Sequence, residues 1–321
     1  MPGRTPSRFL QLRSLQEFLE YLSARYKLHS GEPANPMPMS SKTTGTFQLT
    51  SHGKIWKLDT PQVLGIVNCT PDSFFSGNRF SATNEAVAQG LKMLESGAHA
   101  LDIGGQSTRP NAKEVCAAEE WERIEFVIAG ILNERPEAIL SVDTFHGEVA
   151  ARALDAGAFM INDVFAGTKD ENLVHVVSTR RAPLVIMHMQ GTPATMQVNP
   201  RYSNASEDIC AWLKQRSDSL KSQGMDQLVV DPGFGFGKTT KHNFQILRSL
   251  KAFQVLGFPL LAGVSRKSMI WKTLQSSPEA ALNGTTALHA WALEGGANIL
   301  RVHDVTEALE TVALHNELRN A

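Results

Sequence analysis

The sequence predicts an α/β protein, and two observations carry that expectation. From Gln62 onward, short apolar, β-branched runs recur, and longer segments with helical apolar spacing separate them. The runs are Val63–Val67, Ala100–Ile103, Ile139–Val142, Phe159–Ile161, Leu184–Met187, Leu228–Val230, Leu260–Val264 and Ile299–Val302. The amphipathic segments between them include Glu85–Leu94, Ala118–Leu132, Gly147–Leu154, Ile209–Leu220 and Ala280–Leu293. Each run is followed by such a segment or by room for one. Alternating units of this kind imply parallel strands, and eight units in about 260 residues imply closure into a TIM-type (β/α)8 barrel. An open doubly wound sheet is the alternative; it fits less well because such sheets usually have fewer strands.

Upstream of the barrel the pattern changes. Ser14-Leu15-Gln16-Glu17 has capping-box spacing, and Leu15, Phe18, Leu19, Leu22 and Tyr26 follow at helical intervals, which predicts a helix over 14–27. Residues 30–46 are rich in Pro, Ser and Thr and read as a linker. Phe47 and Leu49, then Trp56 and Leu58, alternate with polar residues around Ser51-His52-Gly53, which predicts a hairpin. The expected division is therefore an N-terminal extension over 1–60 and a barrel over 61–321. The first sixteen residues hold three Arg and no acid, the charge of an organelle transit peptide. They lack an apolar core and a small-residue cleavage site, so a helix packed on the main domain is the preferred reading.

Composition narrows the function. Of 321 residues, 42% are apolar and 20% charged, which is globular rather than disordered. Lys plus Arg number 31 against 32 Asp plus Glu, so no general excess of positive charge points to nucleic acid or to an anionic membrane surface. No run of 18 apolar residues provides a membrane span. The three cysteines, Cys69, Cys116 and Cys210, lack CxxC spacing, which disfavours a disulfide framework or zinc ribbon and makes a reducing compartment, the cytoplasm, the default.

In a barrel the chemistry belongs to the loops leaving the C-terminal ends of the strands. All eight ends are polar: Asn68–Phe74, Asp102–Pro110, Asp143, Asn162-Asp163, His188–Thr192, Asp231–Lys238, Ser265–Ser268 and Arg301–Asp304. One such end has a solvated-loop explanation; eight on one rim read as a site. Several chemistries drop out. Gly233–Lys238 misses the phosphate-binding P-loop because Pro232 stands where the first Gly belongs. No HExxH or GxSxG occurs, and His188 and His303 alone do not make a zinc site.

Asp143, Asn162, Asp231 and Lys267 close four different strands and are expected to face one axial cavity. Carboxylates accept in pairs, an amide both donates and accepts, and an ammonium donates. That set suits a flat heterocycle with an amino-pyrimidinone edge. Arg301, His303, Asn68 and Thr108 lie on strands eight, one and two, which become neighbours on closure, and together read as an anion site for phosphates.

The motifs also carry a family resemblance. NCTPDSF, DIGGQSTRP, SVDT, IND, MHMQGTPATMQ, DPGFGFGK, GVSRKSM and RVHD, in that order over about residues 62–305, resemble the dihydropteroate synthase family of pterin-binding enzymes. The resemblance implies a transferase of folate biosynthesis. It displaces pyrophosphate from 7,8-dihydropterin-6-ylmethyl diphosphate with the amine of 4-aminobenzoate, assisted by Mg²⁺, and is a target of sulfonamides. It implies that Asp143, Asn162, Asp231, Lys267 and Met187 hold the pterin. Asn68, Thr108, Arg301 and His303 hold the diphosphate, with Asn68 on the metal. Thr108, Arg109, Pro110, Phe236, Ser265 and Phe74 stand on the aminobenzoate side. Asn68, Arg301, His303, Lys267 and Asp143 are the expected catalytic set, and the resemblance further implies a cytoplasmic homodimer. A pterin-dependent methyltransferase module is the nearest alternative, but its substrate lacks a diphosphate and gives no use to Thr108-Arg109-Pro110 or to Arg301 with His303. A non-catalytic pterin-binding paralogue is the other. It draws support only from Ser76 and Gln106, which stand where family members commonly carry an acid.

Overall fold

A computed structural model of the chain describes residues 47–70, 79–107 and 114–321. All of them fall within one compact unit, Thr44–Ala321. The expected helix over 14–27, the linker and the first loop's Ser76 lie outside the described residues.

The described chain opens with the predicted hairpin, β1 (Phe47–Ser51) and β2 (Lys54–Leu58), antiparallel with Ser51 opposite Lys54. The two-residue turn holds His52 at φ 50° and Gly53 at φ 71°, the doubly positive backbone that matches the natural twist of a hairpin. Eight parallel strands follow: β3 (Gln62–Asn68), β4 (Ala100–Gly104), β5 (Leu140–Asp143), β6 (Met160–Asp163), β7 (Leu184–Met187), β8 (Leu228–Asp231), β9 (Leu261–Ala262) and β10 (Ile299–Val302). They pair in the order β8-β7-β6-β5-β4-β3-β10-β9, and a parallel bridge between Val230 and Leu260 joins the two ends into a barrel. The (β/α)8 expectation holds.

Helices α1 (Arg79–Glu95), α2 (Ala117–Glu134), α3 (Gly147–Asp155) and α5 (Ala205–Ser222) contain four of the predicted segments, and α8 (Leu282–Glu294) covers the fifth except Ala280 and Ala281, which fall in a 3-10 turn before it. Three more fill the room left between strands, α4 (Glu171–Thr179), α6 (Thr240–Arg248) and α7 (Ser268–Thr273), and α9 (Val305–Asn320) follows the last strand. Their starts are fixed locally. The Asp170 carboxylate caps α4, the Asn204 amide oxygen caps α5, and Thr239 with His242 forms a reciprocal capping box on α6. Among the described residues no helix is long and apolar enough to cross a membrane.

Two details differ from the sequence reading. The sequence predicts the seventh barrel strand over Leu260–Val264, but the strand itself is only Leu261–Ala262, with Leu260 held by its single bridge to Val230. Beyond it the backbone turns to form the rim, with Arg266 at φ 52°. The hairpin, assigned with the extension on sequence, packs into the barrel. Leu49, Trp56 and Leu58 join Leu64, Ala100, Met160, Val185, Val229, Leu261 and Ile299 in one buried cluster at the N-terminal ends of the strands. Trp56 meets Phe159 edge to face at 6.3 Å and donates its indole N–H to Gln62 Oε1 at 3.1 Å, so its polar end is satisfied as its ring is buried. The hairpin is the barrel's floor.

Candidate active site

The opposite end of the barrel is polar. Asp143, Asn162, Met187, Asp231, Phe236, Lys267 and Arg301 line a single pocket, together with Val164, Phe234 and Gly263. Strand pairing explains how residues so far apart in sequence meet. Asp143 closes β5 opposite Asn162 of β6, and Asp231 closes β8 opposite Met187 of β7. The four polar residues expected in one cavity are therefore brought together.

Arg301 is placed differently from its expected position at the mouth beside His303. Its Nη2 donates to Asp143 Oδ2 at 2.8 Å, and its Nε donates to Asp102 Oδ2 at 2.6 Å. It thus belongs by contact to the heterocycle pocket. His303 sits at the rim, where its Nδ1 lies 3.0 Å from the hydroxyl of Ser265. Ser265 is buried and turned towards His303, whose backbone N–H also donates to it at 3.2 Å. Neither lines the pocket. Asn68 ends β3 opposite Gly104 of β4, at the foot of the first loop. Phe74, Thr108, Arg109 and Pro110 lie outside the described residues. Gln106 is described. Its amide oxygen accepts from the backbone N–H of Val115 at 2.8 Å, so the residue ties the two stems of the second loop.

Burial tunes the charges. It pushes the Asp143 carboxyl up to about 7; Arg301 opposes this, while Asp102 and Asp163 reinforce it. Burial raises Asp231 as well, against the pull of a 2.7 Å hydrogen bond from the Gly233 N–H and of nearby Lys267. The Lys267 ammonium is pulled down to about 8 by burial and by Arg301, and it lies 4.3 Å from the centre of the Phe236 ring. Desolvation, then Arg301 and Lys267, hold the His303 imidazole down at about 4, so the ring is neutral at pH 7.

Sequence reasoning missed two buried groups. Asp102 is fully buried on β4; the same Oδ2 that takes Arg301 accepts from the Asn162 amide at 2.9 Å. The Asp was visible in the second motif, but its place inside the strand rather than in the loop hid its part in the site. Lys238, also buried, donates to the carbonyls of His188 at 3.0 Å and Phe236 at 2.8 Å, with His188 Nδ1 at 3.2 Å. It staples the β7 loop to the β8 loop. The glycines beside it serve the same contact. A Cβ on Gly233 would stand 2.1 Å from the His188 carbonyl, and one on Gly237 would stand 2.5 Å from that of Gln190. The Gly-rich stretch therefore lets two loops close on each other, and it is not a phosphate cradle.

The pocket offers two carboxylates, an amide and an ammonium to one flat ligand, with an arginine at its edge. A family model described as pterin binding enzyme matches residues 64–303. The chain belongs to the pterin-binding enzyme family. Within that family it aligns with the dihydropteroate synthases. That of Haemophilus influenzae is 41% identical over 277 residues, 86% of this chain and all of the relative. The Xanthomonas albilineans synthase, solved with 4-aminobenzoic acid, superposes with a TM-score of 0.81 at 40% identity, covering 86% of this chain and all of that one. The same species' enzyme in complex with 7,8-dihydropteroate gives a TM-score of 0.77 at 38% identity, over 85% and 99% of the two chains. The chain is a transferase of the dihydropteroate synthase type.

Proposed function

We propose that the pocket binds the pterin of 7,8-dihydropterin-6-ylmethyl diphosphate and that the 4-aminobenzoate amine displaces pyrophosphate at its mouth. The observation that carries this reading is the gathering of Asp143, Asn162, Asp231 and Lys267 around one pocket with Arg301 beside them. The carboxylates accept from the ring N–H and amino groups, Asn162 and Lys267 meet the carbonyl and ring nitrogens, and Met187 packs against the ring. The new bond joins the amine nitrogen to the pterin methylene, the methylene–oxygen bond breaks, and the amine's proton leaves to solvent. An electron-rich pterin favours loss of the diphosphate ahead of attack. Asp143 and Asp231 then stabilise the developing cation, and Arg301 with His303 and Thr108 takes the leaving group's charge. The amine needs placing more than activation, a task for Thr108, Arg109, Pro110, Phe236, Ser265 and Phe74.

Mg²⁺ is the metal of this reading. Among the described residues no cluster of three His, Cys, Asp or Glu side chains is arranged to hold a metal, and Asn68 offers a single hard oxygen at the rim. That donor set fits an ion whose other ligands are diphosphate oxygens and water. Asn68 would hold it, and when bound the ion supplies further neutralisation of the leaving group.

A homodimer is part of the proposal. Trp291 on α8 is 60% exposed, and Leu314 and Leu318, one turn apart on the adjacent α9, are each 73% exposed, apolar side chains that a second subunit would cover. We place the protein in the cytoplasm, in keeping with its three free cysteines. The deciding assay is pyrophosphate release with both substrates and Mg²⁺. Release that depends on 4-aminobenzoate is expected. Tight pterin binding without release would instead identify a non-catalytic paralogue.

A further inference from the structure

Asp102 has no place in the roles assigned so far, and its surroundings are unusual. It is fully buried in the barrel wall, yet one of its carboxylate oxygens takes two donors at once, Arg301 Nε at 2.6 Å and Asn162 Nδ2 at 2.9 Å. Its other oxygen has no hydrogen-bond partner. Asp102 lies on β4, Asn162 on β6 and Arg301 on β10, so each partner is two strands away, on opposite sides. No ladder hydrogen bond links those strands, and backbone pairing alone does not fix how the two side chains point.

We propose that Asp102 is a positioning residue for the proposed reaction: it reaches across the barrel to orient the Arg301 guanidinium and the Asn162 amide, one for the diphosphate and one for the pterin. The inference rests on that reading of the pocket. A buried carboxylate with one oxygen unpaired is a poor source of stability, since apolar side chains of similar size commonly do as well or better. Its neighbours in the wall, Leu101 and Ile103, are of that apolar kind. Orientation gives the charge a purpose that packing does not. It also acts on Asp143, which Arg301 bridges to Asp102. The charged groups facing Asp143 are Arg301 and Lys267 on one side of the balance and Asp102, Asp163 and Glu120 on the other. Removing the Asp102 charge leaves Arg301 less neutralised and makes Asp143 more acidic.

The test is the pH dependence of kcat/KM for Asp102→Asn, which keeps the size and one acceptor but removes the charge. A loss of about tenfold at pH 8 is expected, the scale of one charge-assisted hydrogen bond, with the acid limb moved down by about one pH unit. Wild-type kcat/KM, or an acid limb that does not move, overturns the proposal. Asp102→Asn leaves Arg301 short of a partner in the barrel, so a second comparison guards against misfolding. In an Arg301→Gln background the same substitution is expected to cost less than about threefold at pH 8, because the charged group through which Asp102 acts is gone and only the neutral Asn162 amide remains. A larger further loss contradicts the proposed route. Wild-type protein is assayed alongside; if it releases no pyrophosphate, the reading of the reaction fails and this inference with it.

Discussion

The two ends of the barrel use the same strands in opposite ways. At the floor, Leu49, Trp56 and Leu58 of the hairpin meet one apolar side chain from nearly every strand. At the top, Asp143, Asn162, Asp231, Lys267 and Arg301 crowd one pocket. The floor is held by burial of apolar area, which is indifferent to direction. The top is held by charges whose cost of burial is offset only when each finds a partner, so direction is everything there. Arg301, bonded to Asp102 and Asp143, shows the consequence: stability and chemistry draw on the same contacts.

Substitutions at the two ends should therefore fail differently. The largest expected effect on stability is at the floor. Trp56→Ala should cost about 3–5 kcal/mol in chemical denaturation, the range for truncating a buried aromatic. Its kcat/KM below the melting transition should stay within about twofold of wild type, because nothing at the floor touches the pocket. A large loss of activity in folded Trp56→Ala would mean that the ends are coupled. At the top, Arg301→Ala should lower turnover by at least about a hundredfold, the scale of losing one preorganised charge contact. It should also lower the melting temperature, since Asp102 and Asp143 lose their shared cation. Near-wild-type kcat/KM in that variant would remove Arg301 from the mechanism.

A smaller effect sharpens the contrast without any substitution. Asp143 is raised to about 7 and is needed as the carboxylate, so activity should fall as pH drops through that value. Lys267 is lowered to about 8 and is needed as the ammonium, so activity should fall again as pH rises through that value. The kcat/KM profile should be a narrow bell, with each limb approaching a tenfold change per pH unit. His303, held down at about 4, contributes no limb in that window. A flat profile from pH 6 to 9 would show that neither pocket group titrates during the reaction.

The sequence made the floor and the barrel legible because burial leaves a period. The β-branched runs marked every strand, and alternation over Phe47–Leu58 marked the hairpin. What it could not show was where a local pattern gives way to tertiary contact. The strand β9 stops after Ala262 because the chain must turn to present Ser265 to His303 and Lys267 to the pocket. Helix α9 buries only Val305, Ala308 and Val312 and so leaves little apolar stripe to read. In the pocket, Asp143, Asn162 and Asp231 were legible because they stand at or next to strand ends, where a polar residue breaks an apolar run, and Lys267 because it falls in the polar stretch after Val264. Asp102 sits in the middle of β4, and its value lies in two partners 60 and 199 positions away in the chain. Arg301 was expected at the mouth because an arginine near a histidine reads as an anion site; two buried carboxylates draw it inward.

The proposed reaction depends most on the pocket taking a pterin through its carboxylates. Calorimetric titration of the dihydropterin diphosphate, with Mg²⁺ and without 4-aminobenzoate, into wild-type and Asp231→Asn protein tests this directly. Asp231→Asn should bind at least about tenfold more weakly, the loss expected when hydrogen bonds to a charged acceptor become neutral ones. Equal affinity in the two folded proteins would place the pterin elsewhere.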